Sequence, residues 1–133
     1  MKKFDAFDKC LTVLLRAEKE NSKSDEFYRA GVIGQFNLTF ELAWKAVREV
    51  LELHGVSNFK TGSPREVLKT AYQFNFLGDE KVWLDMLKSR NTISHVYDEA
   101  AALELANAIF DSYMAALVNL RELLRERIAD TEI

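Results

Sequence analysis

The 133-residue sequence contains a single proline, five glycines and a single cysteine. So few breaking residues favour long helices over a strand-and-turn architecture, in which turn residues recur every ~8–12 positions. Because Cys10 has no second cysteine to pair with, the sequence excludes an intrachain disulfide and a cysteine-based zinc site. The scarcity of proline and glycine predicts an all-α protein.

A strong excess of one charge is also missing, since the formal net charge is −3. The net charge therefore gives no indication of a surface that binds nucleic acid or anionic lipid, although a local basic cleft can lie on an acidic protein. The sequence lacks an uninterrupted apolar run of 18 residues, and the segment from Met1 to Asp5 lacks the apolar core of a signal peptide. We predict a cytoplasmic protein with no membrane partner.

The first half of the sequence has helical periodicity. A first helix is predicted from Phe4 to about Glu20, and Ser24 is a plausible N-cap for a second, long helix. Gly55 is placed to end that helix in a left-handed conformation, beside His54. The long helix carries a heptad seam, in which apolar residues step by threes and fours: Ile33, Phe36, Phe40, Ala43, Val47, Val50 and His54.

The second half restarts three times at capping residues. Ser63, followed by Pro64 and by Glu66 at capping-box spacing, predicts a helix to about Phe74. Asp79 can cap a fourth helix, which reaches Arg90 and ends between there and Tyr97. Asp98 can cap a last helix to roughly Arg127, whose predicted seam is Leu103, Ala106, Phe110, Tyr113, Leu117, Leu120 and Leu124. Together these segments predict an up-and-down bundle of about five helices, two of them long, in a single domain over 1–133.

Several polar and aromatic patterns have a structural interpretation. Phe36, Phe40 and Trp44 resemble a base-stacking platform, but their spacing is typical of a helix core stripe. His54 is placed to satisfy carbonyls at a helix end. The acidic pairs that begin at Asp25, Asp79 and Asp98 lie at helix starts, where they complement the helix dipole. With two histidines and no clustered carboxylates around them, we predict no metal and no cofactor.

The segment from Arg90 to Tyr97, Arg-Asn-Thr-Ile-Ser-His-Val-Tyr, concentrates chemically active side chains at a helix end. This position favours a surface cleft. The alternative is that Arg90 and His95 only satisfy the terminal carbonyls of the fourth helix. Composition alone leaves both interpretations open.

The Arg-x4-His-x-Tyr spacing resembles the signature of the HEPN superfamily of small helical proteins. The stretch from Phe36 to Lys45 (Phe-Asn-Leu-Thr-Phe-Glu-Leu-Ala-Trp-Lys), then Ser63-Pro64-Arg65-Glu66 and the run from Arg90 to Asp98, resemble in order the nucleotidyltransferase substrate-binding proteins. The resemblance covers about Val13 to Leu124. Arg-x4-His alone is a common pattern, whereas its combination with the other two segments is fairly specific.

The resemblance implies a helical partner of a minimal nucleotidyltransferase, in a system of toxin–antitoxin type. Superfamily members with the arginine–histidine pair are metal-independent endoribonucleases, so Arg90 and His95 would be catalytic. In systems with the added tyrosine, the partner inactivates the toxin by attaching nucleotides to that tyrosine, and Tyr97 would be that residue. Asn91 and Ser94 would add hydrogen bonds to a phosphate or orient the imidazole. The chemistry is coherent, because histidine transfers protons near neutrality and arginine matches phosphate oxygens.

Geometry adds the expectation of a homodimer. Residues five apart on an α-helix lie about 140° apart around its axis, so Arg90 and His95 share no face unless the helix ends between them or a second chain completes the site. A single histidine per motif for two proton transfers also favours paired motifs. Two alternatives remain: a non-catalytic subunit that binds a substrate or a nucleotide for the transferase, and a purely structural adaptor. RNA or a nucleotide is the expected ligand.

Overall fold

A computed structural model describes residues 1–93 and 98–131, with backbone only at residues 91–93. Helices dominate the described residues, which contain no strand, as the sequence predicts. The helices are α1 (Lys2–Leu14), α2 (Lys19–Ser24), α3 (Glu26–Leu53), α4 (Pro64–Gln73), α5 (Glu80–Ile93), α6 (Glu99–Ala108) and α7 (Met114–Ala129). A π-helical turn, Ile109–Tyr113, joins α6 to α7, so these two form one continuous rod beside the long α3.

The first helix is shorter than predicted. It ends at Leu14 in tight i→i+3 hydrogen bonds, such as that from the Ala17 N–H to the Leu14 carbonyl at 3.0 Å, and the chain restarts as α2. Helix α3 holds both the break and α2, because the Glu18 N–H donates to the Tyr28 hydroxyl at 2.8 Å and the buried guanidinium of Arg29 donates to the Ser22 and Lys23 carbonyls. The same guanidinium pairs with Glu99 at the start of α6.

The predicted cap of α3 is also one residue off. Asp25, not Ser24, is the N-cap, and its carboxylate accepts hydrogen bonds from the Phe27 and Tyr28 N–H groups at 2.9 and 3.2 Å. Ser24 instead donates its hydroxyl to the Glu20 carbonyl within α2.

Helix α3 forms the centre of the core, as its heptad seam predicts. Phe36, Phe40, Ala43, Val47 and Val50 are fully buried, so the aromatic ladder is packing and not an exposed stacking platform. Gly55 ends the helix at φ +85°, in the predicted left-handed conformation.

His54 satisfies a carbonyl at a helix end, but at the end of a different helix. Its Nε2 lies 2.8 Å from the Arg127 carbonyl oxygen in the last turn of α7, and its ring packs edge-on against Phe76. The contact joins the ends of α3 and α7.

The buried face of the last rod departs from the predicted seam in its first half. Ala106, Tyr113, Leu117, Leu120 and Leu124 are buried as expected. Leu103 is exposed and Phe110 only half-buried, whereas Leu105 and Ile109 lie in the core. The π-turn explains the shift, since it accommodates an extra residue and moves every upstream position around the axis.

The rod Glu99–Ala129 is long and apolar enough to cross a membrane by length and composition alone, with a mean hydropathy of 1.3 in its most apolar window. A core helix of a globular bundle gives the same signal. Its leucine seam lies in the core, which accounts for part of that apolar content.

Glu66, in the first turn of α4, binds the loop that precedes the helix. The arrangement is the predicted capping box with additional hydrogen bonds. The Ser63 hydroxyl accepts from the Glu66 N–H at 3.2 Å, as in the standard motif. The Glu66 carboxylate reaches past Ser63 and accepts from the N–H groups of Lys60, Thr61 and Gly62 at 2.8–2.9 Å. These hydrogen bonds lower the pKa of Glu66 from 4.5 to about 2.

The depressed pKa predicts how a Glu66→Gln variant responds to acid. The carboxylate stabilises the folded protein above the unfolded pKa, and this contribution disappears as the pH falls from about 4.5 towards 2. The melting temperature of the variant should be lower than that of the wild type by a constant margin above pH 5, and the margin should close towards pH 2. A difference in melting temperature that does not change with pH over that range would show that the Glu66 carboxylate contributes no charge-dependent stability.

Candidate functional site

Arg90 lies in the last turn of α5, where Asp79 caps the helix start and Trp83 and Met86 anchor it in the core. Its guanidinium forms an ion pair with Glu41 of α3 and lies over the Phe40 ring, 5.5 Å from the ring centroid. The Arg90 side chain keeps 25% of its surface exposed. The group is thus held at the surface by a carboxylate and an aromatic ring.

The Glu41 carboxylate also lies 3.7 Å from the Lys45 ammonium, one turn further along α3. Arg90, Glu41 and Lys45 therefore form a row of alternating charge, with both cations within reach of one carboxylate. The Glu41 and Arg90 side chains both stay partly exposed, so the ion pair lies at the protein surface, where the guanidinium is open to solvent.

A second set of contacts fixes the neighbouring turn of α5. The Ser89 and Tyr113 hydroxyl oxygens lie 3.1 Å apart, and Tyr113 belongs to the π-turn. The Tyr113 ring stacks on Phe36 of α3 at 5.4 Å between centroids. Helix α5 is therefore tied to α3 through Arg90 and to the rod through Ser89, which limits how far the Arg90 backbone can shift.

The other residues of the predicted site are only partly covered. Asn91 lies in α5, and its side chain is outside the described part of the structure. Ser94, His95 and Tyr97 lie outside the described residues. The described helix ends at Ile93, and Asp98 accepts from the Ala100 N–H at 2.9 Å as the predicted cap of the next helix.

Glu41 is the residue that sequence reasoning missed. It stands inside the Phe36–Lys45 stretch that carried the family resemblance, yet it was given no role. A signal was present, because Glu41 directly follows a buried seam residue, Phe40, and precedes Lys45 by four. What the sequence does not supply is that Arg90, 49 positions away, reaches the same carboxylate.

Among the residues the structure describes, no group of three or more histidine, cysteine, aspartate or glutamate side chains is arranged to hold a metal ion. The chemistry available around Arg90 is that of a fixed cation, a carboxylate and hydroxyl groups.

Known proteins match both the sequence and the fold. A probable ribonuclease HepT from Haemophilus influenzae is 29% identical over 100 residues, which cover 74% of this chain and 68% of that protein. A Haemophilus influenzae structure, described as the fold of a substrate-binding domain of a nucleotidyltransferase, aligns with a TM-score of 0.77 at 22% identity, over 92% of this chain and 98% of the other. A Thermus thermophilus structure aligns with a TM-score of 0.68 at 25% identity, over 91% and 97%.

Residues 2–126 match the family described as nucleotidyltransferase substrate binding protein like, which confirms the resemblance drawn from the three sequence segments. The chain belongs to this family.

Proposed function

We propose that this protein is the helical partner of a minimal nucleotidyltransferase and carries a metal-independent endoribonuclease site made of Arg90, Asn91 and His95. The observation that carries the proposal is the position of Arg90, a partly exposed cation held by Glu41 and Phe40 directly before the rest of the Arg-x4-His-x-Tyr motif. The name of the relative, a probable ribonuclease, supports the same activity.

In the proposed reaction, a histidine of one motif takes the proton of an RNA 2′-hydroxyl. The 2′ oxygen attacks the adjacent phosphorus, and the bond from phosphorus to the 5′ oxygen breaks. The departing 5′ oxygen takes a proton from a general acid, and the products are a 2′,3′-cyclic phosphate and a 5′-hydroxyl. Arg90 stabilises the negative charge that builds on the phosphate oxygens.

The two proton transfers require a base and an acid, which we assign to His95 of each copy in a homodimer. The site would then lie where the two motifs face each other, with Asn91 and Ser94 adding hydrogen bonds. Light scattering at micromolar concentration should give the mass of a dimer, about twice the 15.3 kDa of one chain. A monomer under these conditions would leave each site without its second proton-transfer group and would argue against the assignment.

Tyr97 is the proposed point of control. Its phenolic oxygen, losing its proton, would attack the α-phosphorus of a nucleoside triphosphate held by the partner nucleotidyltransferase. The bond between the α-phosphorus and the bridging oxygen breaks, and pyrophosphate leaves. The attached phosphates would place negative charge two residues from His95, where they would repel an RNA phosphate.

The test of the proposed function is the incubation of purified protein with a mixed RNA pool in excess EDTA. The intact mass of the protein is measured on the same sample, so that a nucleotide on Tyr97 is detected. Cleavage by protein of unmodified mass supports the nuclease. Intact RNA with protein of unmodified mass would overturn it.

A second candidate is a non-catalytic subunit that binds a substrate or nucleotide for the transferase. The description of the family and that of the Haemophilus influenzae structure favour it, and the pairing of Arg90 with Glu41 suits a binding site as well as a catalytic one. This candidate predicts measurable affinity for a nucleotide without turnover.

A further inference from the structure

An open groove runs beside Arg90, between the start of α4 and the outer face of α5. Its volume is about 590 Å³, within the ~300–1,000 Å³ that is typical of small-molecule sites. The residues used below all line it: Pro64, Arg65, Leu84, Asp85, Lys88 and Arg90. Arg90 therefore belongs both to the proposed catalytic site and to the lining of this groove.

The groove is electropositive on a chain whose net charge is negative. Three cations, Arg65, Lys88 and Arg90, and one carboxylate, Asp85, line it, and Glu41 pairs with Arg90 from outside the lining, so the formal charge of these five groups is +1 against −3 for the whole chain. Arg65 is exposed, and none of the ion pairs between described residues involves it. Lys88 is also exposed and lies one turn after Leu84 on α5.

The start of α4 adds a field of the same sign. The positive end of the helix dipole lies at the groove, because Pro64 and Arg65 are its first residues. The Glu66 carboxylate in this first turn is engaged by the N–H groups of the preceding loop. Pro64 and Leu84 add apolar surface to the same lining, which suits contact with a ribose or base next to a phosphate.

We propose that this groove binds the backbone of single-stranded RNA next to the phosphate that Arg90 contacts, with Arg65 and Lys88 contacting flanking phosphates. The inference rests on the proposed function for its substrate class. It adds a binding track outside the Arg-x4-His-x-Tyr motif, built from two residues that the reaction itself does not require. The groove and the motif share Arg90, so RNA in the groove would lead directly into the catalytic site.

The experiment measures binding of a fluorescent, fully 2′-O-methylated RNA oligonucleotide by anisotropy at several salt concentrations. This RNA lacks the attacking hydroxyl, so binding is measured whether or not the protein is a nuclease. Arg65→Gln/Lys88→Gln is compared with Lys2→Gln/Lys9→Gln, which removes the same charge from exposed lysines of α1 that do not line the groove.

Each phosphate contact to a single strand contributes a slope of about −0.7 to log K against log salt, so losing two should reduce the slope by about 1.4. We expect the groove variant to bind about tenfold or more weakly at 0.1 M salt, and the α1 variant to change less than threefold. Equal weakening in both variants, or no binding by the wild type, would overturn the proposal.

The two proposals fail in distinguishable ways. If the wild type binds RNA without cleaving it and the groove variant does not bind, RNA binding in the groove is supported and the ribonuclease activity is contradicted. If the wild type cleaves RNA and the groove variant binds as well as the wild type, only RNA binding in the groove is contradicted. A groove variant that fails only to associate with the nucleotidyltransferase, and binds RNA normally, would also overturn the RNA assignment.

Discussion

Replacing His95 by alanine should lower RNA cleavage by at least about 10²–10⁴-fold, the range contributed by a single general acid or base. Alanine cannot exchange protons, and in the proposed dimer the substitution removes both the base and the acid. Initial rates of cleavage of a fluorescent RNA in excess EDTA measure the effect.

The chain offers a matched control, because its other histidine is His54. His54 is exposed and contacts the Arg127 carbonyl at the far end of α3, so His54→Ala should keep the wild-type rate. Thermal melts of both variants establish that the loss is chemical and not a loss of fold. A His95→Ala protein that cleaves at the wild-type rate would move the activity to another site or to a contaminant.

Replacing Phe40 by alanine should lower the free energy of unfolding by about 3–5 kcal/mol. The ring is fully buried, lies 6.0 Å from the Trp83 ring between centroids, and supports the Arg90 guanidinium. Its removal leaves a cavity between α3 and α5 and removes the surface on which Arg90 rests. Since whole domains are stable by only about 5–15 kcal/mol, the loss is large.

Urea denaturation of Phe40→Ala beside Phe27→Ala measures this effect. Phe27 is the same residue type on the same helix but is 90% exposed, so its replacement should change stability by no more than about 0.5 kcal/mol. A Phe40→Ala protein as stable as the Phe27→Ala protein would contradict the packing described between α3 and α5.

Local chemistry made much of the fold predictable from the sequence. Ser63, Asp79 and Asp98 each accept hydrogen bonds at the helix starts that their spacing indicated, and Gly55 takes the predicted left-handed conformation. The seam of α3 was readable because one face of a straight helix repeats regularly. These features depend on a few neighbouring residues.

Two of the mispredicted features have no signal in the neighbouring residues. The break between α1 and α2 is held by Tyr28, whose hydroxyl accepts from the Glu18 N–H. Helix α2 is held by Arg29, which also pairs with Glu99 of α6.

The phase change in the last rod comes from the π-turn at Ile109–Tyr113, which no local residue pattern announced. Periodicity assumes an unbroken 3.6-residue repeat, so it predicted Ala106 correctly but was wrong for Leu103 and Phe110.

The candidate site divides in the same way. The motif that ends at Tyr97 was visible as a cluster of polar residues and through its family resemblance. The pairing of Arg90 with Glu41 was not visible, nor was the groove that joins Arg65 of α4 to Lys88 of α5. Both depend on how α3, α4 and α5 pack against each other.

The most direct test of the central claim, a metal-independent ribonuclease site at Arg90 and His95, is to identify the product ends after cleavage of one defined RNA in excess EDTA. Attack by the 2′-hydroxyl predicts a 2′,3′-cyclic phosphate on one fragment and a 5′-hydroxyl on the other. It also predicts that a 2′-O-methyl group at the cleaved position blocks that cut. Fragments with a 5′-phosphate and a 3′-hydroxyl, or cleavage that appears only when a divalent cation is added, would contradict the account.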